Sequence, residues 1–172
     1  MRWRQLLLAL ALIVPAVAFE MAVLSRLGLP GATPDLVAVL VGALAATCGA
    51  GVGSIAGFVA GMLLDLVPPA DGTVGVWAVG LTLVGYVIGS RYSLLTRSRT
   101  ATLAEVALAG PVAALIRLLL GGLLGDSRVV WQSVPTLLTT DLFYCFVLAT
   151  LVFPVVVVLA RRLTPAGETR IS

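Results

Sequence analysis

Apolar residues in this chain do not alternate with polar ones at a strand or surface-helix period; they run in blocks of roughly 15 to 25 residues with brief polar breaks. Such blocks match the roughly 20 residues that carry an α-helix across a hydrocarbon layer of about 30 Å. The pattern predicts spans over residues 5–24, 74–90, 102–124 and 135–160. Between them lies a longer stretch, 36–67, in which Asp65 is the one charge. It is either one long span or two short ones. Two spans need a turn, and Cys48-Gly49-Ala50-Gly51-Val52-Gly53 is the glycine-dense place for it, leaving short helices near 35–48 and 53–67.

The arginines decide the count. With six spans and a cytoplasmic N-terminus, Arg2, Arg4, Arg91, Arg97, Arg99, Arg161, Arg162 and Arg170 fall on the cytoplasmic side and only Arg26 and Arg128 outside. Five spans would put seven arginines outside. The expected fold class is therefore all-α, a polytopic bundle of about six transmembrane helices, with both termini cytoplasmic. Composition agrees: of 172 residues, 60% are hydrophobic and 11% charged, against about 25% charged in soluble domains. Connections too short for a soluble module make residues 1–172 a single integral membrane domain. Ala16-Val17-Ala18 has the small-residue look of a signal-peptide cleavage site, but apolar sequence continues beyond Glu20, so an uncleaved anchor helix is the simpler expectation.

Chemistry is thinly supplied. The chain has no histidine, and its two cysteines, Cys48 and Cys145, lie inside apolar runs. Disulfide frameworks, CxxC metal pairs and Ser-His-Asp triads are excluded. We expect no catalytic residues, cofactor or metal. Asp65 and Asp141 are the carboxylate pair that could face a wet cavity, but nothing else completes a catalytic site.

Two patterns do carry information. Gly49, Gly53, Gly57 and Gly61 recur every four residues, a smooth helical stripe on which another helix can come close, with Gly85/Gly89 and Gly121/Gly125 repeating the spacing. The stripe could pack within the chain, against a second copy or against a scaffold helix. Ionisable groups inside spans are the second pattern, since an unpaired charge near the bilayer centre costs at least about 2.5 kcal/mol. Counted by helical rise, Arg117 and Asp141 fall at nearly the same depth. That predicts a polar cluster of Arg117 with Asp141, and with Glu20, in the outer half of the bundle, with snorkelling of Arg117 as the alternative. Glu105 is expected near the cytoplasmic boundary, in solvent.

Pro34-Asp35-Leu36 opening a span, Gly57-Phe58-Val59-Ala60-Gly61-Met62-Leu63-Leu64-Asp65, then Gly75 and Leu83-Val84-Gly85-Tyr86-Val87-Ile88-Gly89 together resemble the bacterial rod shape-determining MreD family. The resemblance covers about residues 34–89, and Met62 and the proline-rich 68–73 loop depart from it. It implies a fold similar to the substrate-binding subunits of energy-coupling-factor transporters. It also implies a non-enzymatic scaffold or adaptor of the lateral-wall elongation machinery, beside an MreC-like scaffold, an MreB-like cytoskeletal protein, a RodA-like polymerase and a class B penicillin-binding protein. Asp35, Gly57, Gly61, Asp65, Gly75 and Tyr86 are the motif positions; Gly53, Arg117 and Asp141 join them as structural or partner-binding candidates. The rival function, a vitamin-type transporter subunit, would need a pocket to which Trp77, Trp131 and Tyr144 could contribute.

Overall fold

The computed structural model describes residues 3–26, 33–67, 74–92, 98–124 and 134–163, all of the regular structure among them helical. The helices are α1 (Trp3–Ala22), α2 (Leu36–Cys48), α3 (Ala50–Leu66), α4 (Val76–Ser90), α5 (Arg99–Ala107), α6 (Ala109–Leu123) and α7 (Val134–Leu163). α5 and α6 form one span interrupted at Leu108. Pro111 accounts for the break, because it has no N–H to offer the carbonyl of Ala107, four residues back, and its ring crowds that carbonyl. Among the described residues there are thus six such helical segments. Those at Arg4–Ala22, Arg99–Leu123 and Val134–Arg162 are long and apolar enough to cross a membrane.

The shortest of these six segments sits at the centre. Of the 13 residues of α2, the ten from Val37 to Ala46 are buried, and α2 touches every other helix. A helix apolar all round, with neighbours on all sides, is solvated by protein and not by lipid. At a rise of 1.5 Å per residue it spans roughly 20 Å, and it needs no more, because the longer helices around it meet the hydrocarbon.

The turn after α2 is tighter than the glycine-rich run suggests. Gly49 alone separates α2 from α3, at φ 86° and ψ 178°, a region open essentially to glycine. α3 therefore begins at Ala50 and takes in Gly51 and Val52, which the sequence assigns to the turn, ahead of the expected start at Gly53.

α3 and α4 then run antiparallel in the closest contact of the fold. A Cβ on Gly53 would collide with the Gly85 carbonyl, one on Gly57 with the Leu81 carbonyl, and one on Gly61 with the backbone of Ala78. In the other direction, Gly85 meets Gly53 and Gly89 meets Ala50. The two glycine patterns of the sequence are the two sides of one helix pair, with backbone against backbone. Large apolar side chains instead point outward: Leu7, Val14 and Phe19 on α1, Leu119 and Leu123 on α6, and Phe143, Phe146 and Leu151 on α7. A surface this apolar suits lipid and not water.

Candidate functional site

Alternating helix directions bring the C-terminal ends of α1, α3 and α6 beside the N-terminal ends of α2, α4 and α7. Most of the singled-out polar residues collect at this end. Two separate arrangements form there.

The first is a cap made across helices. Near the end of α3, Asp65 is buried, and its carboxylate accepts from the backbone N–H groups of Gly75 at 3.0 Å, Trp77 at 3.3 Å and Ala78 at 3.1 Å. Those are N–H groups that a helix start leaves without intrahelical partners, and the negative charge suits the positive end of the α4 dipole. Gly75 is the residue before α4 and sits at φ 100°, in the left-handed region. Gly57, Gly61, Asp65 and Gly75 therefore act on one object: the glycines set how close α4 comes, and Asp65 with Gly75 fixes where it starts. Asp65 and Asp141 serve different arrangements and do not form a carboxylate pair.

The second arrangement surrounds a cavity of about 320 Å³ lined by Glu20, Asp35, Trp77, Arg117 and Asp141 together with apolar side chains. Asp35 is the N-cap of α2, its side chain accepting from Ala38 N–H at 3.0 Å. Glu20 reaches over from α1 to accept from Val37 N–H at 2.7 Å. The start of α2 thus holds two buried carboxylates on its own N–H groups. Asp141, 3% exposed, accepts from the Cys145 thiol at 3.4 Å through one oxygen, and its other oxygen, Oδ2, has no hydrogen-bond partner among the described residues. The Arg117 guanidinium carbon lies over the Trp77 ring, 4.1 Å from its centroid, and its charge acts on both Asp35 and Asp141.

The structure thus places Arg117, Asp141 and Glu20 around one cavity, with no direct Arg117–Asp141 ion pair. The contact of Arg117 is with Trp77. Asp35 and Trp77 belong to this group as well. Nothing in the sequence puts Asp35 there except its position opening a span next to the end of α1. Tyr86 lies elsewhere, 56% exposed on α4. Tyr144 is half-buried on α7, its ring edge-on to Phe143 and outside the cavity lining. Trp131, Arg2, Arg97, Arg128 and Arg170 lie outside the described residues. At the opposite end, Glu105 pairs with the exposed Arg91 at 3.2 Å, a contact worth little at that exposure. Among the described residues, no group of three His, Cys, Asp or Glu side chains is arranged to hold a metal ion.

A family model, that of the rod shape-determining protein MreD, matches residues 2–163. No curated protein and no solved structure matches the chain.

Proposed function

The chain belongs to the rod shape-determining protein MreD family, and from that premise we propose that it is a non-enzymatic scaffold or adaptor of the bacterial cell-elongation machinery. Its role in rod shape determination comes with the family. The scaffold reading adds how that role is performed: helices hold partner proteins in place, and the chain makes no bond itself. One observation carries it furthest. The family match runs over residues 2–163, helices and connections alike, so the whole helical bundle belongs to the shape-determining family. The outward apolar faces of α1, α6 and α7 are the surfaces on which a scaffold helix of an MreC-like partner would lie. MreB-like, RodA-like and class B penicillin-binding proteins would join through that partner or directly, and a second copy of the chain is a further candidate for the same faces.

The test is replacement in a rod-shaped bacterium depleted of its own MreD. Restored rods are expected, and rounded cells despite normal membrane insertion would contradict the reading. The transporter-subunit alternative keeps one observation in its favour, the polar cavity beside Trp77, and predicts capture of a small ligand in the absence of any scaffold partner.

The proposed topology has six spans, one domain and cytoplasmic termini. It is supported by the ends at which the described arginines fall: Arg4, Arg91, Arg99, Arg161 and Arg162 at one, Arg26 and Arg117 at the other. In a cysteine-free background, Arg99→Cys should resist a membrane-impermeant maleimide in intact spheroplasts and react after lysis. Arg26→Cys should react in both. The reverse pattern would invert the bundle.

A further inference from the structure

The cavity between α1, α2, α4, α6 and α7 holds opposite charges that do not satisfy one another. On the acid side, Glu20 and Asp35 are occupied by N–H groups of α2, whereas Asp141 Oδ2 has no partner among the described residues although the residue is 3% exposed. A buried carboxylate oxygen without a donor is costly, and a positive group brought to it is correspondingly favoured. On the basic side, the Arg117 guanidinium uses its face on Trp77 at 4.1 Å. That contact engages the charge of the guanidinium and not a lone-pair acceptor, so it spends none of the five N–H donors. None of these donors is taken up by a protein acceptor among the described residues.

A simple cation would complete Asp141 and leave Arg117 unmet. A simple anion would do the opposite and would also face three carboxylates. A group carrying both charges a few bonds apart answers both sides at once. The cavity, at about 320 Å³, is far larger than the roughly 30 Å³ share of one water. Apart from Thr33, its remaining wall, with Met21, Leu118 and Leu137, is apolar and suits the short methylene link between two such charges.

We infer that this cavity binds a small zwitterion, its ammonium on Asp141 beside Glu20 and Asp35, and its anionic group on the edge of Arg117. Two sources offer that chemistry: the headgroup of an ethanolamine phospholipid, and a free soluble zwitterion. Neither requires the scaffold role, so the inference stands apart from it.

Trp77 is a reporter inside the site. In a Trp3→Phe/Trp131→Phe background it is the only tryptophan, and its emission can be followed in purified protein in nanodiscs. O-phosphoethanolamine should change it saturably, with an affinity at least tenfold above those of ethylammonium, the cation alone, and glycerol phosphate, the anion alone. Asp141→Asn and Arg117→Gln should each weaken that binding tenfold or more while the helical circular dichroism is kept. If the response to O-phosphoethanolamine is seen in phosphatidylglycerol discs but is already saturated in phosphatidylethanolamine discs, the lipid headgroup is the occupant. Equal titration in both discs identifies a soluble one.

Equal binding of the cation alone, or of the anion alone, would overturn the inference. So would an unchanged emission in both discs, which would leave the cavity to water. These comparisons use the unsubstituted site and hold even if a variant fails to fold.

Discussion

Gly57→Leu should abolish most folded protein, with a loss of about 3 kcal/mol or more, the upper end of what overpacking costs. The reason is the kind of atom in the way. Even the first carbon of the new side chain would overlap the Leu81 carbonyl and the Thr82 backbone N, and a backbone inside a helix cannot turn aside as a side-chain tip can. Sliding α3 along α4 offers no relief, because Gly53 and Gly61 make equally close approaches on either side. With total stabilities of only about 5–15 kcal/mol, such a cost should appear as low yield from detergent and early thermal unfolding. The neighbouring Phe58 is 53% exposed, so Phe58→Ala, one position away on the same helix, should shift stability by only about 0.5 kcal/mol. Equal melting of the two variants would show that α3 and α4 do not pack in this register.

Asp65→Ala should be the second most damaging change. It strands three N–H groups at the start of α4, where the Asp65 oxygens now lie at 3.0 to 3.3 Å. Each buried donor left without a partner costs about 1–3 kcal/mol, and the three are not independent. A total of about 3 kcal/mol is a reasonable expectation. Asp65→Asn should cost clearly less, since the amide keeps one accepting oxygen and gives up the charge that suits the helix start. Thermal denaturation of the two variants in one detergent checks the order. Asn and Ala unfolding together would mean that charge, and not hydrogen bonding, is what Asp65 supplies.

These two positions also show what can be read from a sequence of this kind. The spans were legible because lipid imposes a length and a polarity that composition cannot hide. The period-four glycines were legible as a smooth face, since spacing alone defines one. The surface they meet was not, because Gly85 and Leu81 come opposite Gly53 and Gly57 only through the register of a hairpin whose connecting residues carry no periodic signal. The Asp65 cap was hidden for a similar reason: its three donors are backbone N–H groups, which every residue but proline has. Depth counting along the helices put Arg117 and Asp141 at one level but could not give azimuth. Trp77, legible as a candidate pocket residue, cannot be matched to Arg117 by depth alone, nor can Asp35 be placed in the wall of the same cavity. The shortness of α2, awkward when each helix is compared with a bilayer, follows from its central position, a tertiary fact.

The internal use of the glycine stripe bears on the proposed scaffold role. A partner helix finds the α3–α4 seam already filled, so docking falls to the outward apolar faces, those of α1, α6 and α7 among them. The measurement that tests this most directly is co-purification in mild detergent with a co-expressed MreC-like protein. It would compare the natural chain with Leu7→Ala/Val14→Ala on α1, Leu119→Ala/Leu123→Ala on α6 and Phe146→Ala/Leu151→Ala on α7, all pairs that leave the core intact. The account predicts capture by the natural chain and at least a tenfold loss in one of the three pairs, with folding unchanged. Failure of the folded natural chain to capture the partner, or undiminished capture in all three pairs, would contradict it.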